Sequence, residues 1–167
     1  IYTRLSDAEE NERKRLGLAE SAQSEITGVA DELAGRHLQF RPMGAADAEG
    51  ASALEAACFE GAGHEAWTPG MFLSELGEDV AAPRSWWVAH DDGQLLGLAG
   101  GMVVDGDVQI LDVAVDPKHR REGIARKLLS HVSYDAQMLG CTTASLEVED
   151  GNEGAIALYA SLGFTEA

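Results

Sequence analysis

The chain has 167 residues, 45% of them hydrophobic and 25% charged, which are globular values that exclude a disordered or collagen-like polypeptide and provide for one good core rather than two. With 29 Asp and Glu against 12 Lys and Arg the formal net charge is −17, which argues against non-specific binding to nucleic acid or anionic membranes and favours cationic partners. Two cysteines, Cys58 and Cys141, are too few for a disulfide framework and show no metal-ligand spacing, and no apolar run approaches the about 20 residues that span a bilayer.

The chain opens on Ile1, so a piece of a longer polypeptide or a processed chain is expected, and without a charged-then-apolar leader the expected location is the cytoplasm. Residues 1–35 read as a helical extension or linker. Ser6-Asp7-Ala8-Glu9 is a capping-box pattern, Leu16, Ala19, Ala22, Ile26, Val29, Ala30 and Leu33 recur near helical spacing, and Gly35 is a stop. Residues 36–167 read as one α/β domain. Strands are predicted at His37–Arg41, Trp86–His90, Gln94–Val104, Val108–Val115 and Thr142–Val148. Helices are predicted at Ala45–Phe59, from Thr68-Pro69 to Gly77, at Ile124–Leu139 before Gly140, and at Glu153–Leu162 between an Asn152 cap and Gly163. Asp91-Asp92-Gly93 and Asp105-Gly106 read as turns. This order predicts a mixed sheet with at least one parallel crossover. Gly163-Phe164-Thr165-Glu166-Ala167 reads as the start of a strand that is cut short.

Charge placement points to a site. Five of the twelve basic residues, Lys118, Arg120, Arg121, Arg126 and Lys127, fall within ten positions, and none lies between Pro42 and Pro83 or after Leu128. They sit where a buried strand ends at Asp116-Pro117 and Gly123 leads into a helix. Such a turn aims several backbone N–H groups at one space at the positive end of a helix. Gly123 and Ala125 are small enough for an anion to approach the backbone. The turn lacks the Gly-Lys-Ser/Thr of a P-loop and the Gly-x-Gly-x-x-Gly of a dinucleotide fold. A solvated helix end is the rival reading.

Arg120-x-x-Gly123-x-Ala125 resembles the Gln/Arg-x-x-Gly-x-Gly/Ala signature of the GCN5-related N-acetyltransferases. Leu146-Glu147-Val148, Asn152, and Ala155-Ile156-Ala157-Leu158-Tyr159-x-x-Leu162-Gly163-Phe164 are similar to the RimI branch, the ribosomal-protein alanine N-acetyltransferases. Ala66-Trp67-Thr68 is similar to the Pro-Trp-Ser/Thr element of that branch. The resemblance spans residues 38 to 167. It implies a central mixed sheet with a splayed parallel strand pair flanked by helices, and acetyl-CoA as cosubstrate without a metal. In the family, Val113, Ala114 and Val115 would be the strand residues that hold the pantetheine arm and thioester carbonyl. Arg120, Arg121, Glu122, Gly123, Ile124, Ala125 and Arg126 would be the phosphate turn, and Asn152 would hydrogen-bond the pantetheine arm. Glu122 departs from the pattern, because that position is usually basic or Gln.

The resemblance implies Glu147 as proton acceptor and Tyr159 as proton donor, and the twelve-residue spacing between them fits the branch. The chemistry suits those residue types. An α-amine with a pKa near 8 needs only a modest base, which a dry site would strengthen, and a phenol near 10 can protonate a departing thiolate. Read without the resemblance, Glu147 could face water, Tyr159 could be a core-edge tyrosine, and Asn152 is an N-cap. Trp67 is either a core anchor or a wall of the acceptor groove. Trp86 and Trp87 point to opposite strand faces and cannot both be core. Glu147, Glu149, Asp150 and Glu153 would steer a basic acceptor peptide, such as the N-terminus of a ribosomal protein. The RimI branch is often encoded near, or fused to, tRNA threonylcarbamoylation proteins, and the N-terminal extension is compatible with such an association. Two other readings stay open: a transferase of the same fold that acts on a small amine or lysine, and a catalytically silent coenzyme-binding module.

Overall fold

A computed structural model describes residues 2–5, 38–59 and 65–166. Its strands are β1 (Tyr2–Leu5), β2 (Leu38–Pro42), β3 (Arg84–Asp91), β4 (Gln94–Val104), β5 (Asp107–Val115), β6 (Thr143–Leu146) and β7 (Thr165–Glu166). Its helices are α1 (Ala48–Cys58), α2 (Pro69–Glu75), α3 (Ile124–Met138) and α4 (Glu153–Ser161). The strands form one sheet in the order β2-β3-β4-β5-β6-β1-β7. Neighbours are antiparallel except β5 and β6, which run parallel with α3 as the crossover. β1 lies at the head of the segment read as a helical extension. It pairs with both β6 and β7. The helices expected after Ser6 lie outside the described residues.

The two hairpin turns follow their residues. Asp92 and Gly93 take φ of 45° and 84°, and Asp105 and Gly106 take 49° and 79°. Positive φ at both central positions is the backbone that matches strand twist in a two-residue hairpin. Thr68 caps α2 by accepting from the Met71 N–H at 3.2 Å, with Pro69 at the first helical position.

The sheet is covered on both faces. One face packs Val108, Leu128, Val132, Leu146 and Tyr159 between the strands and α3 and α4. The other packs Ala51, Leu54, Phe72, Trp86, Val88 and Leu98 under α1 and α2. Trp86 and Trp87 face opposite ways, as expected, and only Trp86 is fully buried; Trp87 is partly buried against the core on the other face. Trp86 is buried against Phe72 and Trp67. Trp87 stacks on His131 at 4.1 Å and donates its indole N–H to Asp135 at 2.8 Å.

One polar anchor ties β2 to the start of α1. Arg41 donates from both terminal guanidinium nitrogens to the Asp47 carboxylate, at 2.7 and 2.8 Å, and the Gly44 N–H adds a third bond at 2.8 Å. Arg41 holds the Asp47 carboxyl below its ordinary pKa, against the cost of burial. A lowered carboxylate pKa contributes stability above the unfolded value and loses it as pH falls through the folded value. Because the Arg41 side chain is 44% exposed, the effect is modest. Asp47→Asn should cost about 1–2 kcal/mol at pH 7 and progressively less as pH falls below the ordinary carboxylate range, read from unfolding midpoints across that range.

Candidate active site

The site begins where β5 and β6 part. Their parallel pairing runs from Asp107↔Thr143 to Ile110↔Leu146 and stops there. The expected strand Thr142–Val148 is therefore shorter than predicted, since a strand beyond Leu146 has no ladder partner on the β5 side. Val113, Ala114 and Val115 keep their pairing with β4 and face a gap on the other side. A bulge prepares this divergence. Gly100 and Gly101 are consecutive in β4, yet they oppose Asp112 and Ile110, which leaves Leu111 as the extra residue.

The basic turn closes the β5 end of the gap. Asp116 accepts from the Lys118 N–H at 2.9 Å and starts a 3₁₀ turn, Pro117–His119. Arg121 and Gly123 then take positive φ of 62° and 82°, and α3 starts at Ile124. A Cβ on Gly123 would meet no atom within 4 Å, so the space beside Gly123 at the start of α3 is open. The N–H groups of that turn have no helical acceptors of their own. Arg120 and Arg121 are exposed at its rim, and Arg126, also exposed, donates to the Ser161 hydroxyl at 2.7 Å. Ala125 is half-buried beside it. Glu122, the departure from the family pattern, lies 3.3 Å from His119 Nδ1. A turn with open N–H groups, small residues and flanking arginines fits a diphosphate.

Asn152 is the expected cap of α4, accepting from the Ala155 N–H at 3.2 Å, and its side chain is exposed. Tyr159 is buried, with its ring edge-on to Phe164 at 6.0 Å. Burial, together with the nearby Asp112 charge, pushes its phenol up to about 12. Glu147 follows directly on β6 and is exposed, not in the dry surroundings expected for a strengthened base. Its neighbours Leu146 and Val148 pack toward α3 and α4, so Glu147 faces the α1 and α2 side. The two groups thus flank the gap from opposite faces of the sheet.

Three further residues border the gap without having been predicted. Asp112 lies two residues past the last β5–β6 pair. Burial and the nearby Glu55 raise its carboxyl to about 7, against the Val113 N–H. Glu55 of α1 is 1% exposed and accepts from the Trp67 N–H. Cys58, at the end of α1, donates to the Val115 carbonyl at 3.1 Å, and Arg120 Nε donates to the same oxygen at 3.4 Å. Burial pushes the Cys58 thiol up, opposed by Arg120. An aspartate inside the apolar run Ile110-Leu111-Asp112-Val113 was the available signal. Trp67 is half-buried beside Trp86 and Phe72, with its N–H fixed by Glu55. Among the described residues, no group of His, Cys, Asp and Glu could hold a metal ion, and no helix is long and apolar enough to cross a membrane.

A splayed parallel pair, a phosphate-sized turn and a buried phenol define a class of coenzyme-binding sheet. Residues 49–164 match the Acetyltransferase (GNAT) family, and the chain belongs to it. Among its relatives is the [Ribosomal protein bS18]-alanine N-acetyltransferase of Escherichia coli K12, 36% identical over 101 residues, 60% of this chain and 66% of that protein. The chain therefore spans just under two thirds of that relative. The N-alpha-acetyltransferase RimI of Mycobacterium tuberculosis is 36% identical over 124 residues, 71% of this chain and 73% of that protein. The crystal structure of the E. coli ribosomal-protein-S18-alanine N-acetyltransferase has a TM-score of 0.66 at 30% identity, covering 78% of this chain and 79% of its own. The PaiA N-acetyltransferase of Thermoplasma acidophilum, solved with coenzyme A, shares the fold at a TM-score of 0.70 and 16% identity, covering 78% of this chain and 91% of its own.

Proposed function

We propose that this chain is an acetyl-CoA-dependent N-α-acetyltransferase that acts on a protein N-terminus, with the N-terminal alanine of a ribosomal protein as its acceptor. The observation that carries the reading is the parting of β5 and β6 past Ile110 and Leu146, with the basic turn at one end of the gap and Tyr159 beside it. The E. coli alanine N-acetyltransferase and the N-alpha-acetyltransferase of M. tuberculosis supply the acceptor class. The turn from Arg120 to Arg126 holds the diphosphate of the coenzyme. Val113, Ala114 and Val115 present their backbone to the pantetheine arm, with Asn152 opposite, and bound acetyl-CoA supplies an activated acyl thioester.

The residues of the chain then manage protons. Glu147 accepts one from the acceptor nitrogen, through water at its exposed position. Tyr159 donates one to the leaving sulfur, and its raised pKa keeps it protonated across the working range. About a tenth of α-amines are already neutral at pH 7, so the demand on Glu147 is small. The acidic rim of Glu147, Glu149, Asp150 and Glu153 suits a basic peptide in a chain of net charge −17. Such a protein works in the cytoplasm, beside ribosomes, and association with tRNA threonylcarbamoylation proteins belongs to the same reading.

Mass spectrometry of an alanine-initiated ribosomal peptide, incubated with the protein and labelled acetyl-CoA, should show one acetyl group on the α-amine. Label on polyamines or lysines alone would transfer the assignment to a small-amine enzyme, and tight acetyl-CoA binding without any transfer would make it a silent module. Glu147→Gln should lower turnover about 10- to 100-fold and leave the Kd for acetyl-CoA within twofold. Unchanged turnover would remove Glu147 from the mechanism.

A further inference from the structure

We propose that Asp112 is a second catalytic carboxylate, placed on the acceptor side of the β5–β6 gap, which receives the acceptor ammonium and takes its first proton. The inference rests on the transferase reading above and adds a residue to it.

Position is the first argument. The bulge at Leu111 shifts the register of β5, so that Leu111 and Ala114 face the α1 and α2 core while Val113 and Val115 face α3 and α4. Asp112 sits at this switch, two residues beyond the last pair with β6. The groups that bear on it come from both sides of the gap: Glu55 and Cys58 from α1, and Tyr159 from α4. Arg120 is engaged with the Val115 carbonyl and Cys58.

The second argument is an unmet bond. Asp112 Oδ2 is buried and has no hydrogen-bond partner among the described residues. The Val113 N–H opposes the rise in the pKa of this carboxyl without offsetting it. A buried carboxylate oxygen without a donor is costly, and a catalytic role is one of the reasons structures retain one. When the carboxyl is ionised the partner it lacks is a donor, and a cation would offset the neighbouring Glu55 as well. A peptide ammonium is both. Its pKa near 8 lies close to the value of about 7 at which burial and Glu55 hold Asp112, so a proton passes between them at little cost.

The proton count requires such a group. The acceptor arrives as R–NH3+ and leaves as an amide, so two protons must depart. One passes to Asp112. The nitrogen lone pair forms the N–C bond as the C–S bond breaks, and the second proton passes to Glu147. Tyr159 gives its proton to the departing sulfur and is reprotonated from one carboxyl. The remaining proton leaves through exposed Glu147. The products are the amide, the free thiol and one proton.

Asp112→Asn tests this, with the alanine-initiated peptide and acetyl-CoA assayed from pH 5.5 to 9. The wild type should show kcat/KM rising in two steps, near 7 for Asp112 and near 8 for the amine. The variant should keep only the second step, lose about 100-fold at pH 7, and bind acetyl-CoA within twofold of wild type. Activity within threefold of wild type with the lower step intact would overturn the proposal. So would a large loss with the lower step retained, because that is what damage to packing alone produces. If the wild type acetylates no α-amine at all, the transferase reading falls and this proposal with it; a working wild type beside an unaffected variant overturns the Asp112 role alone.

Discussion

Gly100→Ala should lower the melting temperature by roughly 10 °C. Gly100 stands opposite Trp86 in the β3–β4 ladder, and a Cβ built on it would fall inside the ring, against Cδ2, Cε3 and Cε2. The indole has nowhere to go. Trp67 lies edge-on at 5.3 Å, Phe72 closes another side at 5.5 Å, and the indole N–H is directed at Glu75, 3.4 Å away. Overpacking of this kind usually costs about 1–3 kcal/mol, and an immobile aromatic neighbour puts the cost at or above about 3 kcal/mol. That is a large part of the 5–15 kcal/mol total typical of a domain, and corresponds to a drop in Tm of roughly 10 °C. Gly154→Ala is the control. It lies in the first turn of α4, where a new Cβ meets nothing within 4 Å, and it should change stability by less than about 0.5 kcal/mol. Thermal unfolding of the three proteins decides the matter, and a Gly100→Ala protein within 2 °C of wild type would show that Trp86 can be repacked. The effect reaches the site, because Gly100 also opposes Asp112 across the bulge.

This glycine shows where the sequence could and could not be read. Elements set by local signals were legible. The hairpin turns at Asp92-Gly93 and Asp105-Gly106, the Asn152 and Thr68 caps and the start of α3 after Gly123 all depend on residues within a few positions. The basic turn before α3 was legible for the same reason, since charge, glycine and helix start are contiguous there. What depends on distant pairing was not. The end of β6 at Leu146 is decided by where β5 turns away, and β5 turns away because two glycines in β4 permit a bulge. A second core on the far face of the sheet could not be inferred from Trp86 and Trp87 alone. Asp112 and Glu55 went unread because each is a single charge in an apolar stretch, and only the fold brings one beside the other.

Tyr159→Phe should lower kcat by about 100- to 1,000-fold while the fold and coenzyme binding survive. Phenylalanine keeps the ring that packs against Phe164, so stability should move by no more than about 1 kcal/mol. The loss should be uniform in pH. Burial and Asp112 raise the phenol to about 12, so the proton to be donated is present throughout any practical range, and its removal costs the same at pH 6 as at pH 9. Leaving-group dependence separates a proton donor from a packing residue. If Tyr159 protonates the departing sulfur, an acetyl thioester of a more acidic thiol needs that proton less, and the penalty for Phe should shrink as the thiol pKa falls. If Tyr159 only shapes the gap, the penalty should be the same for every thioester that binds. Asp112 links the two sides of this chemistry, since its negative charge is what holds the phenol proton most firmly after burial itself. In Asp112→Asn the phenol should therefore titrate lower than in the wild type, a change visible in the ultraviolet absorbance of tyrosinate without any turnover.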